Sequence, residues 1–374
     1  MTSRDNRAPL NLGFLSPHNP FDRRSFSGTA FYAAAALRRY PGVSLKILGD
    51  HRPPRLSNWL LGRPCPKIEE VSLSEFAGLD AVVSLVGSKV LGPLLGKFDV
   101  PFVHVTDATP VFLRECYAWN VPPEADTLEA NVAKHAAAMI YSSAEMAERA
   151  ADEFGISPYH APFGVNLGAA RRPKTCPKKE DMSKLQLLFI GNDWERKGGD
   201  IAVSSLHALQ RMGIDAQLTI VGHAPKYYGS DPDISIAGYL NKNKSEQAAK
   251  LSQLYEKAYV LLVPSRADCT PMVIAEAMAN GTPSIASDVG GVASLVGGAG
   301  TGKLMSVAAD ADQWAREIAN LTANQFAYQA MSDACFDRAN SRLTWRAWCR
   351  DLLRIIEEVT TTNVVQLPGR HVAA

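Results

Sequence analysis

Short apolar runs alternate along the chain with amphipathic stretches, which is typical of βα units that build a parallel sheet. The first half contains five apolar runs, which we predict to be strands: 11–16, 43–49, 80–87, 101–107 and 137–143. A second series of five predicted strands follows: 184–191, 216–222, 234–238, 259–265 and 283–288. Helical periodicity separates them, as in 28–40, 129–137, 198–213 and 244–258. The pattern predicts two facing Rossmann-like domains, with ligands bound beyond the carboxyl ends of the strands.

The boundaries of these domains follow from where the periodicity stops. We place the N-terminal domain at residues 1–170 and the C-terminal domain at 185–340. Residues 171–184 are basic, contain proline and lack an apolar period, so they are predicted to form a linker. The amphipathic residues within 341–360 predict a C-terminal helix that returns to the N-terminal domain, and the last fifteen residues are expected to be frayed.

Length and composition narrow the class of protein. The 374 residues are too many for one ordinary core, and 46% hydrophobic with 21% charged residues is typical of a soluble globular protein. The net charge of +1 provides no overall positive potential that would attract nucleic acid. Six scattered cysteines, with no Cys-x-x-Cys pair and no histidine cluster, favour reduced thiols in the cytoplasm and predict no metal site. We find neither a signal peptide nor an apolar run of membrane-spanning length.

The charge is unevenly distributed. Residues 1–67 contain eleven Lys and Arg against three Asp. One interpretation is a solvated surface. The other is a basic face that contacts anionic lipid at the inner side of the membrane, or a phosphorylated acceptor, since clustered cations near a bilayer each add about 1 kcal/mol.

The segment 265–291 contains the most specific signal. A strand is predicted to end at Pro264 and Ser265, and a helix to begin with Thr270 as its N-cap and Pro271 at its first position. The pair Asn280-Gly281 would end that helix. Its N-terminus would then lie at the carboxyl edge of the sheet, where free amides suit a diphosphate.

Two acids flank this predicted anion site. Asp268 precedes the helix, and Glu276 lies inside it with a side chain that leans back toward the N-terminus. Carboxylates do not bind phosphate, so we expect them to accept hydrogen bonds from hydroxyl groups of a sugar and a ribose. The alternative is a buried helix with a solvated acid in front of it.

The spacing resembles the donor-binding motif of glycosyltransferase family 4, in which an acid, seven residues and a Glu precede Ala-Met-Ala-x-Gly-x-Pro. This resemblance implies a GT-B fold and transfer of a hexose, with retention and without metal or cofactor, from a UDP- or GDP-linked sugar to a hydroxyl of a glycan, glycolipid or small molecule. It assigns binding of the donor sugar hydroxyls to Asp268 and binding of the nucleotide ribose to Glu276. The sequence departs from the motif at Asp268, where Glu is usual, and at Pro271, where Gly is common. The donor-binding residues implied are Gly28, Asn192, Asp268, Cys269, Thr270, Pro271, Met272, Val273 and Glu276.

A second loop, 189–199, lies between a predicted strand and a predicted helix. Arg196 and Lys197 would face the cleft there and bind phosphate. Lys197 matches the family's diphosphate-binding Lys, while Asn192 occupies the position of its Arg, so Arg196 is the predicted substitute. Surface charges on a turn are the alternative.

The first domain offers weaker candidates. Asp107 ends a predicted strand at the place where the family often has a His near the reacting sugar, and it either serves the site or caps the next helix. Gly28 opens a helix where a family loop approaches the donor phosphates. Arg23 and Arg24 are equally compatible with surface positions and with acceptor contacts. The departures also leave open a non-catalytic nucleotide-sugar-binding paralogue or a GT-B nucleotide-sugar epimerase.

Overall fold

The computed structural model describes residues 8–49, 71–168, 172–179, 184–298 and 300–365. The N-terminal sheet has the strand order β2-β1-β3-β4-β5-β6, and every pairing is parallel. Its strands are β1 Leu10–Leu15, β2 Val43–Ile47, β3 Ala81–Leu85, β4 Phe102–Thr106, β5 Ala138–Tyr141 and β6 Tyr159–His160. The helices of this domain are α1 Thr29–Arg38, α2 Ser88–Leu91, α3 Pro110–Cys116, α4 Glu124–His135 and α5 Ala144–Phe154.

The C-terminal sheet repeats the design with the order β12-β11-β10-β7-β8-β9, again all parallel. Its strands are β7 Leu185–Gly191, β8 Ala216–Gly222, β9 Ile234–Gly238, β10 Val260–Val263, β11 Ser284–Ser287 and β12 Gly302–Met305. The helices are α6 Gly199–Arg211, α7 Ser245–Lys257, α8 Met272–Met278, α9 Val292–Val296, α10 Ala311–Thr322, α11 Gln325–Ser341 and α12 Trp345–Val365. This architecture confirms the predicted pair of Rossmann-like domains.

Helices cover both faces of each sheet, which explains why the strands are apolar runs. Strands β3, β4, β5 and β10 are buried along their whole length. The sequence pattern missed the edge strands β6 and β12, because β6 has two residues and β12 is only partly buried. Edge strands of this kind lack the continuous apolar run that identifies a central strand.

Helix α12 belongs to the core of the first domain although it ends the chain. Leu352 and Ile355 pack against residues of α1 and β1, which shows the predicted return to the N-terminal domain. The turn at Gly164 fits tightly against this helix, since a Cβ atom there would lie 2.4 Å from the backbone nitrogen of Trp345. The helix continues to Val365, beyond the point where fraying was expected.

Within the described residues, no helix combines the length and apolar character that a bilayer crossing requires. A group of three or more His, Cys, Asp or Glu placed to hold a metal is likewise absent from this part of the chain.

Candidate active site

A cleft of about 580 Å³ lies between the two domains, at the carboxyl ends of both sheets. The structure brings together there every predicted site residue except Gly28. These residues are Asp107, Asn192, Arg196, Lys197, Asp268, Cys269, Thr270, Pro271, Met272, Val273 and Glu276. The predicted site residues in the cleft therefore come from three separate segments of sequence.

The loop between β10 and α8 positions the two acids. Helix α8 begins at Met272 with Pro271 as N-cap, one residue later than predicted. Thr270 does not cap the helix, because its hydroxyl hydrogen-bonds Ser142 Oγ of the other domain at 2.6 Å. The predicted Asn280-Gly281 end agrees with the structure, where Ala279 is the C-cap and Gly281 has a φ of 64°.

Asp268 is buried and paired with a lysine from the neighbouring loop. Its Oδ2 accepts hydrogen bonds from Lys197 Nζ and, at 3.2 Å, from Ser265 Oγ. Its Oδ1 lies 3.5 Å from the hydroxyl of Tyr117, which belongs to the first domain. The same hydroxyl accepts a hydrogen bond of 2.8 Å from the Cys269 amide. Asp268 is thus held at the boundary between the domains.

Glu276 is fully buried and also paired with a lysine. Its Oε1 accepts from Lys242 Nζ, and its Oε2 accepts from the hydroxyl of Tyr255 at 2.9 Å. Both acids of the site are therefore neutralised by lysines that line the same cleft. A ligand that donates hydroxyl hydrogens to these acids either displaces the lysines or shares the carboxylate oxygens with them.

Arg196 is fixed beside Asp268 by contacts on both sides. Its Nε bonds Asp193 at 3.0 Å, its Nη1 donates to the Ala267 carbonyl at 3.0 Å, and its guanidinium lies 4.7 Å from the centre of the Tyr117 ring. The chain turns sharply after Lys197, because Gly198 has a φ of 71° and a Cβ there would lie 2.0 Å from the Pro264 carbonyl oxygen. Arg196 and Lys197 consequently lie against the loop that carries Asp268.

Asp107 faces the cleft and does not cap a helix. The cap of α3 is Thr109, whose hydroxyl accepts a hydrogen bond from the Phe112 amide at 3.2 Å. Burial raises the pKa of the Asp107 carboxyl to about 7, and the nearby charge of Asp268 adds to this effect against an opposing backbone hydrogen bond. Because Thr109 is the cap, the helix-cap interpretation of Asp107 was wrong, and the residue lines the cleft instead.

Gly28 lies behind the cleft wall and not on its surface. It is the N-cap of α1 with a φ of 92°, and it follows Phe26 and Ser27, which also have left-handed backbone angles and do line the cleft. The left-handed angles of Phe26 and Ser27 are costly unless the surroundings enforce them. The backbone is held in part by Asn166 Nδ2, which donates to the Ser27 carbonyl at 3.1 Å.

The sequence argument did not identify several other cleft residues, among them Tyr117, Trp119, Lys242 and Tyr255. Lys242 follows strand β9, and its position at the carboxyl edge of the sheet was the one available signal. Tyr117 contacts residues about 150 positions away in the chain, so no local pattern marks it.

Arg23 and Arg24 line the cleft, which removes them from any continuous basic face. Residues 1–7 and 50–67 of that predicted face lie outside the described residues.

The comparison with known families matches a segment of the second domain that includes Asp268 and Glu276. Residues 184–324 match the family model described as Glycosyl transferases group 1. Over these residues the second domain is similar to this family. Whether the chain falls within family 4 in particular stays a prediction.

Two curated proteins are similar to parts of this chain. A D-inositol 3-phosphate glycosyltransferase of Segniliparus rotundus is 30% identical over 204 residues, a match that spans 51% of this chain and 45% of the relative. The chain thus matches less than half the length of that relative. A glycogen synthase of Mycobacterium tuberculosis is 25% identical over 332 residues, covering 82% of this chain and 69% of the relative.

Solved structures share the fold over nearly the whole chain. Sucrose-phosphate synthase from Thermosynechococcus elongatus superposes with a TM-score of 0.68 at 18% identity, covering 95% of this chain and 100% of that one. The Anabaena HepE protein, solved in complex with UDP and glucose, superposes with a TM-score of 0.62 at 13% identity, with coverage of 95% and 100%. These likenesses confirm the predicted GT-B fold.

Proposed function

We propose that the protein transfers a hexose from a nucleotide diphosphate sugar to a hydroxyl acceptor, with retention of anomeric configuration. The observation that carries this proposal is the convergence of Asp268, Glu276 and Lys197 on one cleft between two Rossmann-like domains. Two acids suited to hydroxyl groups then lie beside a cation suited to phosphate. The relative solved with UDP and glucose supports a donor of this chemical class.

In this proposal the donor replaces the internal ion pairs. Ribose hydroxyls donate to Glu276 in place of Lys242, and sugar hydroxyls donate to Asp268 in place of Lys197. Lys197 then turns to the diphosphate beside Arg196. Negative charge builds on the diphosphate as the glycosidic bond breaks, and fixed cations that face this charge lower the barrier.

The acceptor enters from the side of the first domain. Asp107 faces the same cleft, and its raised pKa of about 7 leaves it partly ionised at neutral pH. A carboxylate with this pKa is well matched to accept the proton that the attacking hydroxyl loses. Closure of the cleft would exclude water from the activated donor.

The test separates a transferase from the other two possibilities. The protein is incubated with UDP- and GDP-sugars, an acceptor panel and EDTA, and released nucleotide diphosphate is measured. Release that depends on the acceptor and survives EDTA supports metal-independent transfer. Binding without release across the panel would favour a non-catalytic paralogue, and isomerised donor would favour an epimerase.

The preferred base of the nucleotide can be identified by measuring the melting temperature of the protein with different nucleotides. A ligand that binds only the folded state raises the melting temperature once its concentration exceeds the dissociation constant. We expect UDP or GDP to give the larger shift and ADP the smaller one. No shift with any of the three would contradict the proposed donor site.

We also propose that the reaction takes place in the cytoplasm, with peripheral contact at the inner face of the membrane. The support for this is the scattered cysteine pattern and the surplus of cations in residues 1–67, which persists without the cleft residues Arg23 and Arg24. Flotation with vesicles that contain or lack anionic lipid tests the contact. Equal flotation in the two cases would exclude a role for the cations.

A further inference from the structure

Among the described Lys and Arg residues that line the cleft, all but one form an ion pair with a carboxylate. Each other Lys or Arg that lines the cleft has a carboxylate partner: Arg24 with Asp22, Arg196 with Asp193, Lys197 with Asp268, and Lys242 with Glu276. Arg23 has no carboxylate partner among the residues that the structure describes, and its Nε is buried without a hydrogen bond. A buried donor of this kind is costly unless a ligand satisfies it.

Arg23 contacts both domains. Its guanidinium carbon lies 4.6 Å from the centre of the Phe31 ring, and its backbone amide donates to Asn243 Oδ1 of the other domain at 3.1 Å. The nearest acid in sequence, Asp22, is already bound by Arg24 and by Asn243 Nδ2. The site around Arg23 is therefore preorganised and leaves its charge uncompensated.

Resting on the proposed function, we propose that Arg23 binds a phosphate group carried by the acceptor. The donor diphosphate has its own cations, Arg196 and Lys197, on the C-terminal domain, whereas Arg23 lies on the loop after β1 of the N-terminal domain. A planar guanidinium binds phosphate through two parallel hydrogen bonds, and Arg23 lines the cleft from which a phosphate would approach. The predicted acceptor is a phosphorylated polyol.

Such a phosphate has two sources, a soluble polyol phosphate and a phospholipid headgroup. The experiment uses matched acceptors that differ only in phosphate: glucose with glucose 6-phosphate, and myo-inositol with its monophosphate. A separate arm supplies phosphatidylinositol in phosphatidylcholine vesicles. Product in the aqueous fraction identifies a soluble acceptor, and product in the vesicle fraction identifies a lipid.

For the wild type we expect kcat/KM at least about tenfold higher for a phosphorylated acceptor than for its neutral partner, and we expect Arg23→Ala to remove this preference. A hydrogen bond to a charged group corresponds to a loss of about ten- to hundredfold when one partner is deleted. Arg23→Lys should restore part of the preference because it keeps the charge. Arg39→Ala, at an exposed position after α1, is the matched control and should change nothing.

The outcomes distinguish this inference from the proposed function. Acceptor-dependent release with equal use of neutral and phosphorylated acceptors would overturn the inference alone. If no donor is consumed, inorganic phosphate is titrated calorimetrically onto protein saturated with UDP or GDP, and binding that Arg23→Ala fails to weaken overturns the inference. An equal loss of nucleotide diphosphate affinity in Arg23→Ala would make Arg23 a donor ligand and also contradict it. Arg23→Gln replaces the Ala variant if melting temperature shows that the latter is misfolded.

Discussion

At the scale of single residues, Lys197 has two proposed partners: Asp268 before the donor binds, and the leaving diphosphate during transfer. We expect Lys197→Ala to lower kcat about a hundredfold or more, because fixed charge that faces a developing anion contributes this much to turnover. Affinity for the nucleotide diphosphate should fall less. Steady-state kinetics and calorimetry with UDP and GDP measure the two effects. Lys250→Ala, exposed on α7, is the control, and unchanged turnover in Lys197→Ala would end this assignment.

Asp107 predicts how activity depends on pH. If its carboxylate accepts the proton, kcat rises with pH through about 7, and Asp107→Asn is slow and insensitive to pH over this range. Asp99→Asn, at an exposed position, should keep the wild-type profile. A wild-type profile without an inflection between pH 6 and about 8 would contradict the role of Asp107.

The same carboxyl predicts a change in stability. Its pKa is raised in the folded state from 3.8 to about 7, so the folded protein keeps this proton to a higher pH than the unfolded chain does. The free energy of unfolding of the wild type should therefore decrease, relative to that of Asp107→Asn, between about pH 4 and pH 7. Urea titrations at several pH values measure this difference, and parallel curves would refute it.

Residue-level prediction from sequence succeeded where chemistry and local spacing coincide. Asp268 lies in a loop and Glu276 in the helix that follows it, so their positions in the same cleft could be predicted. Their partners could not, because Lys242 lies 34 residues from Glu276 and Tyr117 lies 151 residues from Asp268. Contacts of this range depend on how the domains pack, which no local pattern contains.

At the scale of elements, the loop before α1 concentrates backbone strain at the cleft. Left-handed angles cost an L-residue about 1–2 kcal/mol, which Gly avoids at some cost in unfolded-state entropy. We expect Ser27→Gly to raise the free energy of unfolding by about 0.5–1 kcal/mol. Gly28→Ala should lower it by about 1–2 kcal/mol, because the new Cβ would lie 3.0 Å from the Arg23 carbonyl oxygen. Chemical denaturation of this pair measures both signs, and changes of the same sign would contradict the account.

Helix α12 supplies core to a domain that begins more than 300 residues earlier. We expect Leu352→Ala, which removes a fully buried side chain, to lower the free energy of unfolding by about 2–5 kcal/mol. Arg350→Ala, on the exposed side of the same helix, should change it by less than about 0.5 kcal/mol. Equal effects would show that the helix does not act through burial. The amphipathic pattern predicted this helix. Capping rules were less reliable: Thr270 was the predicted N-cap of α8, but its hydroxyl bonds Ser142 of the other domain instead.

At the scale of the whole molecule, the two domains are joined across the cleft by a few polar contacts. Asn243 bonds both the Arg23 amide and the Asp22 carboxylate of the opposite domain. We expect Asn243→Ala to shift the protein toward an open form by about two- to tenfold, since each lost hydrogen bond is worth roughly 0.5–1.5 kcal/mol. Hydrolysis of the donor by water should then increase by a similar factor.

This change is observed as a larger radius of gyration in small-angle scattering, together with donor hydrolysis measured without acceptor. Asn340→Ala is the control, because Asn340 is exposed and bonds only within its own helix. An unaltered radius and unaltered hydrolysis would show that Asn243 does not hold the cleft closed. The sequence predicted two facing domains, but not this contact, which joins two loops 220 residues apart.

The two lysine–acid pairs described in the cleft have a consequence for the end of the catalytic cycle. In the proposed reaction Lys242 and Lys197 leave Glu276 and Asp268 when the donor arrives. Once transfer is complete, Lys242 can return to Glu276 and compete with the ribose of the spent nucleotide for the same oxygen atoms. The protein thus contains its own competitor for product, and product inhibition should become stronger when Lys242 is replaced by Met.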